Sequence, residues 1–214
     1  MRERWIGALV GLASVAVTFV LARLDAGWFL AALTVTAVGW LTGGYIRHLS
    51  RLAERDQLTG VSNRRPFERT MLREWDRAVR YGRPLSLLFI DVDDFGRVNK
   101  QFGHLMGDET LKVVARLIRQ NTRTTDVVAR WGGEEFVVLL PETDVDSALV
   151  LAERIRVVIA QHVVKEQDCT VQVTISTGVA GIPGSARHPR ELLRQSMAAE
   201  ANAKTSKNAV RCVS

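Results

Sequence analysis

The chain has 214 residues, room for one ordinary domain and a small appendage. Lys and Arg total 29 against 23 Asp and Glu, a net charge of +6, yet the basic residues are dispersed and define no nucleic-acid-binding face. Two cysteines, Cys169 and Cys212, are too few and too unpatterned for a disulfide framework or a zinc site.

The first elements are apolar. Trp5 to Ala22 and Ala26 to Ile46 carry no charge, with Arg23 and Asp25 between them. Each run approaches the ~20 apolar residues of a bilayer-spanning helix. Residues 1–46 therefore read as a two-helix transmembrane hairpin, in preference to a signal peptide. Arg2, Arg4, Arg47 and Arg51 flank the pair, which places both ends in the cytoplasm and the chain in the inner membrane as a multi-pass protein. Residues 47–55 continue as a short stalk helix, with Leu49, Leu52 and Ala53 at helical spacing, and residues 56–214 form the remaining domain.

Within that domain the spacing of Phe67, Met71, Trp75 and Ala78 predicts a helix over Pro66–Tyr81. Leu85–Val92 is a continuous apolar run, the mark of a buried central strand. A helix follows over Gly107–Asn121, then strands over Val127–Trp131 and Phe136–Leu140 joined at Gly132-Gly133. Val145–His162 reads as a helix, Val171–Ala180 as a strand, Pro189–Lys204 as a helix, and the neighbourhood of Val210 as a short last strand. That order predicts an α+β fold with an antiparallel-rich central sheet and helices on one side.

Two acidic clusters fall where such a fold would bring them together. Asp91, Asp93 and Asp94 end the buried strand, and Glu134 and Glu135 sit at the tip of the hairpin. If the hairpin lies beside the strand, Asp91 and Glu134 face each other, and a cation between them would relieve their repulsion. Oxygen ligands without His or Cys select Mg²⁺ or Mn²⁺ over zinc. Two such ions ~3.5–4 Å apart are the usual apparatus for in-line attack at phosphorus. An EF-hand is excluded, because Phe95 and Phe102 stand where it needs oxygen ligands.

Arg130-Trp131-Gly132-Gly133-Glu134-Glu135-Phe136 resembles the signature of the GGDEF-domain diguanylate cyclases, in its GGEEF form. Asp56-Gln57-Leu58-Thr59-Gly60 with Asn63-Arg64-Arg65, and Asp91-Val92-Asp93 through Asn99, Gly103-His104 and Gly107-Asp108, follow the same family's pattern. The resemblance implies a palm-like fold and condensation of two GTP into cyclic di-GMP with release of pyrophosphate. It implies that Asp91, the Val92 carbonyl and Glu134 hold two divalent ions, with Glu135 as a further ligand or as base for the 3′-hydroxyl. Asn99 and Asp108 would read guanine, with His104 nearby, while the Gly132-Gly133 backbone would approach the nucleotide and Lys204 and Lys207 its phosphates. A homodimer would bring two GTP together, and Arg123, Asp126 and Arg154 would form a product-binding inhibitory site.

The chain departs from the family pattern in places. Gly96 stands where a phosphate-binding lysine is usual, and Lys100 replaces an aspartate. The last helix reads Ser196-Met197-Ala198-Ala199-Glu200-Ala201-Asn202-Ala203-Lys204 in place of the usual A-D-x-A-L-Y-x-A-K. The second reading is a weak or inactive module that binds GTP or cyclic di-GMP in membrane signalling. Retention of Asp91, Glu134 and Glu135 speaks for the enzyme.

Overall fold

A computed structural model describes residues 31–43, 54–166, 169–184 and 186–212, and the chain divides between Ala53 and Glu54 into two units. In the first unit the described helix, α1, spans residues 31–43. Among the described residues no helix is long and apolar enough to cross a membrane, which overturns the expected membrane location. The run Trp5–Ala22 and most of the expected stalk lie outside the described residues. Arg55, at the stalk's end, is not helical and forms an antiparallel bridge with Ser62.

The second unit runs β1 (Ser62–Asn63), α2 (Arg64–Tyr81), β2 (Leu85–Val92), α3 (Phe95–Phe102), α4 (His104–Asn121), β3 (Val127–Arg130) and β4 (Glu135–Pro141). It continues with α5 (Val145–Gln161), β5 (Val164–Glu166), β6 (Cys169–Val171), β7 (Ile175–Ile182), α6 (Pro189–Lys204) and β8 (Ala209–Cys212). Six strands form one sheet in the order β1-β3-β4-β2-β7-β8, and β5 and β6 make a separate ribbon. The pairings at the centre are antiparallel, while β1 and β8 join their neighbours in parallel. The expected strand Val171–Ala180 is thus two elements, a ribbon strand ending at Val171 and a sheet strand starting at Ile175.

All eight residues of β2 are buried, because both faces of the sheet are covered. Leu88, Ile90 and Val92 pack in one core with residues of α3, α4 and α5. Leu85, Leu87 and Phe89 pack in another with Phe67, Met71 and Trp75 of α2 and Leu192 of α6. The expectation of helices on one side is therefore corrected. An unbroken apolar strand has no face suited to water, so each face needs its own layer of helices.

Helix α3 escaped the sequence reading. Its two turns bury only Phe95 and Val98, and it begins at Asp94 with a left-handed φ of 55°. Helix α6 lies against β7 at Gly178, where a Cβ would stand 2.0 Å from the Ser196 carbonyl oxygen and 2.2 Å from the Glu200 nitrogen. Only glycine permits that approach, and it fixes the height at which α6 holds Glu200 and Lys204 over the sheet.

Candidate active site

The end of β2 and the start of β4 come together at the sheet centre. Their antiparallel register sets Asp91 opposite Glu135, and the Val92 N–H donates to the Glu134 carbonyl oxygen at 3.3 Å. The two acidic clusters do converge. The carboxylate directly across from Asp91 is however that of Glu135, one residue along from the expected Glu134.

Asp91 is 4% exposed. Its Oδ2 accepts from the Lys204 ammonium at 2.8 Å, while its Oδ1 is buried with no hydrogen-bond partner. Burial pushes its pKa up, the Lys204 ammonium opposes that, and Glu134 and Glu135 add repulsion. Leaving a buried acceptor unmade costs about 1–3 kcal/mol, so this oxygen is a prepared place for a ligand of opposite charge.

Its neighbours differ. Asp93 accepts from Ser176 Oγ at 2.7 Å on one oxygen, and from Thr174 Oγ1 at 2.6 Å and the Asn208 N–H at 2.8 Å on the other. These donors make Asp93 a fastener between the β2 end and the β7 and β8 region. Asp94 is exposed and paired with Lys207 at 2.7 Å, which holds its carboxyl below the usual range. Of the three aspartates, Asp91 is the one with a buried oxygen left unpartnered.

Glu200, missed by the sequence reading, lies beside this centre. It is 8% exposed with an unpartnered Oε1, and its pKa is pushed up to about 7, first by burial and then by Asp91. The available signal was a glutamate on the inward stripe of α6 with Leu192, Ser196, Ala199 and Ala203. An acid with a raised folded pKa binds its proton more tightly when folded. Its carboxyl therefore costs nothing below the unfolded value near 4.5, and stability falls as pH rises from there through about 7. In chelator, Glu200→Gln is expected to match wild type at pH 4 and below and gain up to about 3 kcal/mol at pH 8. Paired thermal melts across that range check it.

The hairpin tip is braced from a distance. Arg130 donates through Nε and Nη2 to the Gly133 carbonyl oxygen at 3.0 and 2.6 Å, and through Nη1 to both oxygens of Asp56 at 3.2 and 3.3 Å. Against its burial, Thr59 and Arg130 hold the Asp56 carboxyl below the usual range. The Asp56–Gly60 motif and the glycine turn are thereby one assembly. A Cβ on Gly132 would stand 2.6 Å from Glu135 Oε2, whereas one on Gly133 would meet nothing within 4 Å. Gly132 thus makes room for a carboxylate of its own chain, and Gly133 leaves a bare backbone facing outward.

Helices α3 and α4 carry the other candidates. Asn99 is half-buried and lies where a Cβ on Gly107 would stand, 1.9 Å from its Oδ1. Asp108, the next residue, is exposed, as is His104 at the start of α4.

At the far end of β3 from the glycine turn, Asp126 Oδ2 accepts from the Arg123 N–H at 2.7 Å. Its other oxygen is buried without a partner, and burial raises its pKa. Arg154 donates to the Asn121 carbonyl oxygen at 2.8 Å, so α5 is tied to the same turn. Asp126 also lines a cleft of about 530 Å³ with Arg55, Arg69, Arg73 and Arg119.

Among the described residues no three carboxylates or imidazoles converge closely enough to hold a metal ion unaided. Magnesium sites commonly use one or two carboxylates completed by substrate phosphate, and the orphaned oxygen of Asp91 with only hard donors nearby fits that chemistry.

A palm-like α+β sheet with acidic groups at its central strand ends is the frame of a nucleotidyltransferase. The family model described as diguanylate cyclase, GGDEF domain, matches residues 53–209, and the chain belongs to that family. The response regulator PleD of Caulobacter vibrioides is 40% identical over 166 residues, covering 76% of this chain and 37% of that protein. The chain thus spans little more than a third of that relative's length. The solved GGDEF domain of TpbB (YfiN) from Pseudomonas aeruginosa has a TM-score of 0.72 and 35% identity, covering 75% of this chain and 94% of that one. The GGDEF domain of DgcB from Caulobacter crescentus, solved in complex with c-di-GMP, has a TM-score of 0.70 and 27% identity, covering 74% of this chain and 92% of that one.

Proposed function

We propose that this domain condenses two GTP into cyclic di-GMP. Each 3′-oxygen attacks the α-phosphorus of the other nucleotide, the bond to the β-phosphate oxygen breaks, and two pyrophosphates leave. The observation that carries the reading is Asp91, a buried carboxylate at the sheet centre with one unsatisfied oxygen and two glutamates beside it. Asp91, the Val92 carbonyl and Glu134 would hold Mg²⁺ or Mn²⁺, two ions per site. Such ions, when bound, neutralise the charge that builds on the phosphates.

The protein's own groups position and exchange the proton. Glu135 accepts it from the attacking hydroxyl or adds a ligand. Asn99 and Asp108 read the guanine edge, with His104 at the rim. The bare Gly133 backbone admits the nucleotide, and Lys204 and Lys207 serve its phosphates. Because each domain offers one GTP, two copies of the chain must meet for turnover. Positioning and charge neutralisation then supply most of the rate.

The test is incubation of the purified protein with GTP and Mg²⁺, followed by product identification. Cyclic di-GMP with two pyrophosphates per molecule supports the enzyme; GTP bound but unconverted leaves the non-catalytic binding module.

Two predictions concern substrate and product. Gly96 is exposed, its φ is not left-handed, and a Cβ there meets nothing within 4 Å, so the fold accepts a side chain. Gly96→Lys supplies the phosphate-facing ammonium that related domains carry, and is expected to lower the KM for GTP by up to roughly tenfold, read in GTP titrations at fixed Mg²⁺. The Arg123–Asp126 turn, with Arg154, is proposed to bind the product in feedback inhibition. Arg123→Ala is expected to raise the inhibition constant for cyclic di-GMP roughly ten- to hundredfold. Unaltered inhibition would leave the turn a structural feature.

A further inference from the structure

The ammonium of Lys204 occupies Asp91 Oδ2 at 2.8 Å, on the carboxylate that the proposed reaction needs for a cation. Two cations cannot share that carboxylate at full strength, so Lys204 needs somewhere else to go. Four residues earlier on α6 stands Glu200, buried, with Oε1 unpartnered, and among the described residues it makes no ion pair. It is nevertheless electrostatically coupled to both Asp91 and Lys204. The main chain there is seated closely against Gly178 of β7, whereas the Lys204 side chain is 45% exposed and long enough to swing. Residues four apart share a helix face with Cβ atoms ~5–6 Å apart, and glutamate before lysine is the favourable order.

We propose that Glu200 is the second seat of the Lys204 ammonium in the nucleotide-free protein: Lys204 pairs with Asp91 when no cation is bound and moves to Glu200 when a divalent ion takes Asp91, before any phosphate is there to receive it. The move would satisfy the orphaned oxygen of Glu200 and open Asp91 at the same time. Glu200 is thus a positioning residue, acting on the cation through Lys204. The inference rests on the metal reading of Asp91 given above.

The experiment is a double-mutant cycle read in Mn²⁺ affinity, from the spectroscopic signal of free Mn²⁺ over the nucleotide-free, full-length protein. Glu200→Gln is expected to weaken Mn²⁺ binding about tenfold, and Glu200→Leu to do the same. Lys204→Met is expected to strengthen it, since the competitor is gone. In the Lys204→Met background, Glu200→Gln is expected to change affinity less than twofold. Equal weakening in both backgrounds would overturn the proposal, because Glu200 would then act on the cation itself. So would unchanged affinity in Glu200→Gln while Glu134→Gln weakens binding. If Glu134→Gln also leaves Mn²⁺ affinity unchanged, the metal reading of the site fails first. Thermal melts of each variant establish that the compared proteins are folded.

Discussion

Asp91→Asn is expected to lower GTP turnover by about a thousandfold or more while the domain stays folded. The amide keeps the shape of the side chain and an oxygen that Lys204 can donate to, but loses the charge that a divalent ion requires. Stability in chelator should hold or rise slightly. The substitution removes a carboxylate that burial and the neighbouring Glu134 and Glu135 already disfavour. The half-exposed Lys204 keeps access to water and to Glu200. Product quantification beside thermal melts checks both halves, and Glu134→Gln should follow the same pattern. Turnover within tenfold of wild type would remove Asp91 from the chemistry.

Gly178→Ala is expected to destabilise the domain by about 3 kcal/mol or more, roughly 10 °C in Tm, or to prevent folding. The added methyl would meet the Ser196 oxygen at 2.0 Å, the Glu200 nitrogen at 2.2 Å and the Ala199 carbonyl carbon at 2.9 Å. All three are backbone atoms, so no rotamer change relieves the clash. Strand β7 is held by β2 on one side and β8 on the other, which leaves α6 to move. Since α6 carries Lys204 and Glu200, whatever folded protein remains should also show altered Mn²⁺ affinity. An unchanged Tm would mean that α6 does not sit on β7 at this height.

Much of the scaffold was legible in the residues. The run Leu85–Val92 and the bounds of Pro189–Lys204 agree with β2 and α6 residue for residue, because an unbroken apolar strand and a helix opened by proline are strong local signals. The convergence of the two acidic clusters was legible too, once the hairpin was placed beside β2. Helix α3 was not, because two turns burying Phe95 and Val98 give too little periodicity to stand out. The apolar stretch Ala26–Ile46 read as a membrane span on composition alone, whereas among the described residues no helix is long and apolar enough to cross a membrane.

By itself the sequence determined the family, the central strand and the residue types gathered at its end, since motif spacing and periodicity are local properties of the chain. Tertiary structure alone decided what each acid does. Asp91 and Asp93 share a strand end and a residue type, yet donors from Thr174, Ser176 and Asn208 saturate Asp93, while Asp91 keeps a buried free oxygen. Register set Glu135 across from Asp91, and the seating of α6 on Gly178 turned Glu200 toward the same centre. Burial and hydrogen-bond satisfaction depend on segments more than 80 residues apart in the chain, and local pattern carries no record of them.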